Sequence, residues 1–321
     1  MGYKVELISP EEKDRIFEEL KDKLLYERKA HLHGICIKLY TNSKRIKDMW
    51  EDNFYFMSEF IKSHGRVIAY YTFKEGDTER VLYDPYTNTA FLFNLGYYGY
   101  VKSIALGVAG DVLEDEHGIY SIHGACLDVD GRGVSIIAPS GTGKTTHAFG
   151  LLQMKGVKLI SDDWHFVRNF GDEFVAYTSE KNCYIRDDLS RIWPEYHYLV
   201  EKVDLDKEGR GVADIRWLLG KAHVRESTVL KSVILLKRDP EDKEIIRKLT
   251  PGEGVDYLKQ HSFCNPHLLV TDERKTGLRV NFFKNLFSTT DVWLVNTVLP
   301  PAETQERIRK LVKNGGLSVP T

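Results

Sequence analysis

Ser140, Gly141, Thr142, Gly143, Lys144, Thr145 and Thr146 stand in an unbroken row behind the apolar run Gly133-Val134-Ser135-Ile136-Ile137. In such a row, backbone N–H groups can converge on phosphate oxygens, a lysine can reach the β- and γ-phosphates, and a hydroxyl such as that of Thr145 can ligate Mg²⁺. The expected ligand is therefore ATP or another nucleoside triphosphate. Ala138 occupies the place usually held by the first glycine of such a loop.

Two carboxylates follow at the end of the next apolar run, in Gly156-Val157-Lys158-Leu159-Ile160-Ser161-Asp162-Asp163. Open α/β sheets bind ligands at the carboxyl ends of their parallel strands, so Asp162 and Asp163 are expected to face the phosphates. Thr145 with Asp162 or Asp163 would hold Mg²⁺, or Mn²⁺, directly or through water. Asp163 would also serve as general base toward an attacking hydroxyl.

Three elements must position these groups. The apolar run before the loop reads as a strand, and Lys144-Thr145-Thr146-His147-Ala148-Phe149-Gly150-Leu151-Leu152 behind it suits a helix, which gives the strand–loop–helix order that phosphate-binding loops need. Upstream, Ala125-Cys126-Leu127-Asp128-Val129 alternates in polarity and is followed by Asp130-Gly131, a strong hairpin signal. The strand feeding the loop is thus the second arm of a hairpin, whose first arm begins at His123-Gly124.

That preceding arm, absent from most proteins with such a loop, gives a pattern that resembles the HPr kinase/phosphorylase and phosphoenolpyruvate carboxykinase superfamily. The resemblance rests on His123-Gly124, the Asp130-Gly131 turn, Ser140 to Thr146, and Leu159-Ile160-Ser161-Asp162-Asp163. It extends over about residues 100–300 and is strongest across 121–165. It implies an α/β fold with a P-loop kinase core of this type. It also implies a role for His123, either supporting the base, as in HPr kinase, or binding a second divalent metal, as in the carboxykinases. Gly209-Arg210-Gly211-Val212-Ala213-Asp214-Ile215-Arg216-Trp217-Leu218-Leu219-Gly220 is similar to an HPr kinase segment with an Arg-Gly pair, two residues shorter here. Arg210, or in its place Arg216, would by that resemblance stabilise transferred charge.

The remaining residues set the frame. A smaller N-terminal α+β module is expected over 1–100 and the kinase domain over 101–321. Ser9-Pro10-Glu11-Glu12 caps a helix that turns Ile16, Phe17, Leu20, Leu24 and Leu25 to one side. Strands are expected at 35–40, 66–73, 81–83 and 91–93, and helices at about 44–62 and 98–115. Helical spacing of Trp50, Phe54, Tyr55, Phe56 and Phe60 predicts core packing in preference to a base-stacking platform. His31 and His33 are read as partly cationic residues near a helix end, without a metal role. Further on, Val229–Leu236 reads as a buried strand, Thr250-Pro251-Gly252-Glu253 opens a helix, and a last helix runs from Pro300-Pro301 to Asn314-Gly315. Surface solvation is expected for Lys237, Arg238 and Arg279.

Composition excludes several classes. Lys and Arg number 45 against 47 Asp and Glu, for a formal charge of −2, which argues against a nucleic-acid backbone as partner. Four scattered cysteines without a C-x-x-C pair indicate neither structural zinc nor a disulfide framework. No long apolar run and no signal peptide in Met1-Gly2-Tyr3-Lys4-Val5-Glu6 point to a soluble cytoplasmic protein that has no membrane contact; a homo-oligomer is compatible with this reading. The function expected is an ATP-dependent kinase acting on a hydroxyl, whether a serine of a protein or peptide or a small molecule such as free serine. A carboxykinase-like lyase and a non-catalytic nucleotide-binding regulatory module are the alternatives.

Overall fold

A computed structural model describes residues 3–72, 78–207 and 209–313 of the 321-residue chain. Of the expectations above, Met1-Gly2, Phe73 and Asn314-Gly315 lie outside the described residues. Two compact units divide the chain: Met1–Ile119 with Ser179–Asn182 and His267–Asp272, and the remainder. A division at 100/101 would cut the helix Tyr98–His117, which is one element of the first unit.

The first unit carries a seven-stranded sheet of β1 (Val5–Leu7), β2 (Tyr26–Leu32), β3 (Ile35–Thr41), β4 (Tyr55–Phe56), β5 (Gly65–Tyr70), β6 (Arg80–Asp84) and β7 (Thr89–Phe93), in the order β1-β6-β7-β5-β3-β2-β4. Its α-helices among the described residues are α1 (Pro10–Leu20), α2 (Lys44–Asn53) and α3 (Tyr98–His117). Ser9 caps α1 by accepting from the Glu12 N–H, and Ile16 and Phe17 pack on Ile8, Leu20, Ile68, Leu82 and Phe91. The helix ends before Leu24 and Leu25, and Leu25 is exposed. His31 lies inside β2 and His33 in the β2–β3 turn rather than near a helix end; the Gly34 N–H donates to His31 Nε2 at 2.9 Å.

The expected helix over 44–62 stops at Asn53, and the reason is tertiary. The last carbonyls of a helix have no partner within it. Those of α2 are taken by a segment far along the chain: Lys181 Nζ donates to the Glu51 carbonyl (2.7 Å), Asn182 Nδ2 to that of Asp52 (2.7 Å), and the Lys181 N–H to that of Asn53 (2.9 Å). Asn53 itself donates to the buried Glu180, which also binds Lys102 at 3.2 Å. Beyond this stop the chain turns extended as β4. The aromatic series therefore splits: Trp50 and Phe54 are core, while Tyr55, Phe56 and Phe60 are exposed, against the prediction that all would pack inside.

In the second unit, β8 (Ile119–Ile122), β9 (Gly124–Val129), β10 (Arg132–Ile137), β11 (Val157–Ser161), β12 (His165–Asn169), β13 (Phe174–Thr178), β16 (Ser227–Lys237), β17 (Ile246–Leu249) and β18 (Asp291–Asn296) form a nine-stranded sheet; β14 (Cys183–Arg186) and β15 (Arg210–Ala213) form a separate antiparallel pair. The order is β11-β9-β10-β16-β13-β12-β8, with β18 also on β16 and β17 on β18. The helices are α4 (Lys144–Leu152), α5 (Leu189–Ile192), α6 (His197–Glu201), α7 (Ile215–Leu218), α8 (Pro251–Gln260), α9 (Glu273–Thr289) and α10 (Pro301–Lys313).

β9 and β10 pair antiparallel around Asp130 and Gly131, whose φ values of 51° and 85° are those of the tight turn that Asp-Gly favours. β10, β16 and β18 run parallel, so their carboxyl ends share one edge. Ala148, Phe149, Leu151 and Leu152 of α4 pack with Leu127, Ile136, Leu159 and Ile234 of the sheet in one core. Thr250 and Glu253 form the reciprocal cap expected at the start of α8. The fold is mixed α/β, as the sequence implied. Among the described residues, no helix is long and apolar enough to cross a membrane.

Candidate functional site

The loop after β10 opens directly into α4. Gly141 and Gly143 adopt φ of 81° and 101°, a region in which glycine has no steric penalty. Thr142 Oγ1 folds back onto the Pro139 carbonyl at 2.7 Å, which fixes the bend. On its other side the Thr142 carbonyl accepts from Thr297 Oγ1 at 2.9 Å, and that hydroxyl also lies 3.1 Å from the Lys237 carbonyl. Thr297 thus stitches the loop to the ends of β16 and β18. Ser140 is exposed, Thr145 and Thr146 are half-buried, and the Thr146 carbonyl accepts from Trp193 Nε1 at 2.8 Å.

Lys144, the first residue of α4, brings the loop, the hairpin and the acidic pair together. Its Nζ lies 2.6 Å from Asp163 Oδ1 and 3.1 Å from His123 Nε2; the latter two atoms are 3.3 Å apart. β11 ends at Ser161, so its carboxyl end delivers the acidic pair. Side-chain exposure of Asp163 is 27%, whereas Asp162 is buried at 2%, which leaves Asp163 as the carboxylate a substrate can reach.

The state of His123 follows from its partners. Nδ1 lies 2.7 Å from the Cys264 carbonyl, an atom that can only accept, so Nδ1 carries the hydrogen. Burial, and after it the Lys144 charge, holds the imidazole below its ordinary pKa, so the ring is neutral and Nε2 presents a lone pair to Lys144. The Trp164 indole stands edge-on to the ring, centroids 5.8 Å apart. Behind it, His165 Nδ1 donates to the Gly124 carbonyl at 3.0 Å and Ser135 Oγ lies 3.2 Å from its Nε2; burial pushes its pKa down to about 4.

The Cys264 carbonyl comes from an unusual backbone. Ser262, Phe263 and Cys264, one residue after the end of α8, take φ of 49°, 56° and 52° in succession. Left-handed backbone costs a non-glycine residue roughly 1–2 kcal/mol.

Three of the expected functional residues, His123, Lys144 and Asp163, are within contact of one another. Arg210 is on β15 opposite Arg186, with its backbone N–H donating to Asp206 Oδ1 at 3.0 Å; Arg216 is in α7. Arg279 is buried in α9 and is not the solvated charge expected. Arg238 is at the carboxyl edge, its Nε 3.3 Å from Thr297 Oγ1. Sequence reasoning passed over Thr297, His165 and the Cys264 carbonyl. Thr297 had a signal, being the first residue beyond the carboxyl end of the apolar β18; the Cys264 carbonyl had none.

Fold and site together define an α/β protein in which a glycine loop opens a helix at the carboxyl edge of a mixed sheet, with a lysine, a carboxylate and a neutral histidine gathered there. Comparison with known proteins narrows the class. The HPr kinase/phosphorylase of Lachnoclostridium phytofermentans is 27% identical over 145 residues, 45% of this chain and 41% of that protein. That of Caldanaerobacter subterraneus subsp. tengcongensis is 30% identical over 138 residues, 43% of this chain and 39% of that protein. That of Prosthecochloris aestuarii is 27% identical over 167 residues, 50% and 44% respectively. The chain therefore has an HPr kinase-like relationship, and it spans about two fifths of the length of the curated relatives it matches. No family model matches it.

Proposed function

We propose that this chain is an ATP-dependent kinase that transfers the γ-phosphoryl group to a hydroxyl. The observation that carries the reading is the Lys144 ammonium shared between Asp163 Oδ1 and His123 Nε2 at the start of the loop helix. In this reading Lys144 and the amides of 140–146 hold the phosphates, and movement of the lysine onto them frees Asp163. That carboxylate then takes the proton of the acceptor hydroxyl as its oxygen bonds to the γ-phosphorus and the bond to the β-phosphate oxygen breaks. His123, neutral and fixed through Nδ1, presents its Nε2 lone pair to Asp163, where it can accept a hydrogen bond once that carboxylate has taken the proton; the same lone pair would suit a divalent metal.

Thr145, Asp162 and Asp163 are oxygen donors of the kind Mg²⁺ accepts when it is carried chiefly by phosphates and one or two carboxylates. When bound, the ion would supply charge neutralisation on the transferring group. Arg210, or Arg216, would add to it.

The acceptor in this reading is a serine hydroxyl of a protein or peptide, or a small molecule such as free serine; the relatives' name points to HPr as one candidate. Incubation of the purified chain with γ-labelled ATP, Mg²⁺ and either HPr, free serine or cell extract tests both arms. Transfer of label to any of these supports the reading, and the labelled species identifies the acceptor class. Formation of phosphoenolpyruvate from oxaloacetate, or nucleotide binding with no transfer to any acceptor, would overturn it.

A further inference from the structure

We infer that the left-handed turn Ser262–Cys264 is a positioning element whose task is to hold His123 in its Nδ1–H form. An α-helical carbonyl points along the axis toward the N–H four residues on. Had α8 continued right-handed, the Cys264 carbonyl would have been spent in that way. Reversal of hand over three residues takes it off the axis and sets it 2.7 Å from His123 Nδ1, 141 positions away in sequence.

Helix termination alone does not account for this backbone. An ordinary stop uses one left-handed residue, commonly glycine. Here three successive non-glycine residues are left-handed, and the turn is closed by its own bonds, from the Cys264 N–H to the His261 carbonyl (2.8 Å) and from the Asn265 N–H to the Ser262 carbonyl (3.1 Å). The buried Phe263 ring stacks on Phe283, centroids 5.9 Å apart and 15° from parallel, which anchors the turn to α9. Strained backbone of this kind persists only where its surroundings over-determine it.

The consequence is chemical. With Nδ1 protonated, Nε2 can only accept, and it faces Lys144 and Asp163. In the other tautomer an N–H at Nε2 would face the ammonium, and a bare Nδ1 would face the Cys264 carbonyl, two acceptors 2.7 Å apart. The use made of His123 rests on the kinase reading; its tautomer is a property of the free protein and can be read without turnover.

Ser262 gives a clean test because its side chain is exposed while its backbone is left-handed. A β-branched residue resists that conformation and glycine does not. Ser262→Val should populate the Nε2–H form of His123 in the nucleotide-free protein, seen by ¹⁵N NMR of labelled histidines and assigned with His123→Gln. It should also lower kcat on the order of 10-fold with little change in the KM for ATP, a fraction of what a whole general base contributes. Ser262→Gly should keep the Nδ1–H form and the parent kcat. If the valine variant does not fold, Ser262→Ala is read in the same way, with a smaller shift in the same direction. A wholly Nδ1–H His123 in a folded Ser262→Val or Ser262→Ala variant would overturn the inference. A parent protein with no kinase activity but with this tautomer response would overturn the kinase reading alone.

Discussion

Two stretches of left-handed backbone flank the Lys144–His123–Asp163 cluster, and they are built in opposite ways. On one side, Gly141 and Gly143 bend the loop at φ of 81° and 101°. On the other, Ser262, Phe263 and Cys264 reach comparable φ with side chains attached. The first conformation is intrinsic to its residues; the second is imposed by packing and hydrogen bonds from elsewhere in the unit. Glycine backbone is therefore free to adapt to a ligand, whereas the imposed turn holds one group, the Cys264 carbonyl, in one place.

The largest expected effects lie where the two sides meet. Asp163→Asn should lower kcat by about 10²–10⁴-fold while ATP affinity stays nearly intact, because an amide keeps the shape but cannot take the proton. Lys144→Ala should cost on the order of 10²–10³-fold and weaken ATP binding as well, since it removes the cation that the loop presents. Steady-state kinetics with direct nucleotide titration separates the two. Equal losses of affinity in both variants would make the pair a single binding unit and remove the base assignment.

The second contrast is in pH. The glycine side is backed by buried histidines: His165 is pushed down to about 4 by burial, and burial likewise lowers His123 and His147. On the imposed-turn side, burial pushes the Cys264 thiol up to about 12, so it stays neutral across the physiological range. A histidine with a depressed folded pKa binds its proton first in the unfolded chain. Its contribution is therefore complete above its ordinary value of 6.5 and is lost as pH falls toward the folded value. For His165 that span amounts to roughly 3 kcal/mol. Urea titrations between pH 7 and pH 4 should show the loss, and His165→Asn, which keeps a donor toward the Gly124 carbonyl, should flatten it. An unchanged slope in that variant would place the acid sensitivity on other groups.

A smaller effect is expected within the loop. Gly143→Ala would force an alanine into φ of 101° and bring its Cβ to 3.3 Å from His147 Cδ2, a ring already held at 2.8 Å by Gln305. Gly141→Ala meets nothing within 4 Å, so only conformational strain of about 1–2 kcal/mol remains. Denaturation should thus rank Gly143→Ala below Gly141→Ala in stability. Equal values would mean that the His147–Gln305 pair yields freely.

The same contrast decides what could be read in advance. The loop, the Asp130-Gly131 turn and the Asp162-Asp163 pair were legible because short-range chemistry sets them: glycine where φ is positive, a turn dipeptide between alternating strands, carboxylates at a strand end. The end of α2 was not, because its carbonyls are capped by Lys181 and Asn182, some 130 positions away, and apolar periodicity alone ran the helix on through Tyr55, Phe56 and Phe60. The Cys264 carbonyl was invisible for a further reason. A backbone acceptor exists at every residue, and Ser-Phe-Cys carries no mark of a left-handed turn. Arg210 was singled out by resemblance alone; the structure carries it on β15 of a separate two-stranded sheet.

The smallest expected effect has the opposite sign and bears most directly on the comparison. If the imposed turn is strained, glycine at Ser262 should relieve it. Relief of left-handed strain is worth about 1–2 kcal/mol. Against this stands the extra freedom that glycine gives the unfolded chain, about 0.4–1 kcal/mol. Because the Ser262 side chain is exposed, no packing is lost. Ser262→Gly should therefore leave stability unchanged or raise it by up to about 1.5 kcal/mol, whereas alanine at Gly141 or Gly143 lowers it. Chemical denaturation of the three variants beside the parent measures both signs in one experiment. A loss of 1 kcal/mol or more in Ser262→Gly, larger than the unfolded-state term supplies, would mean that the serine holds its backbone without strain, and the two sides of the site would then differ in composition but not in kind.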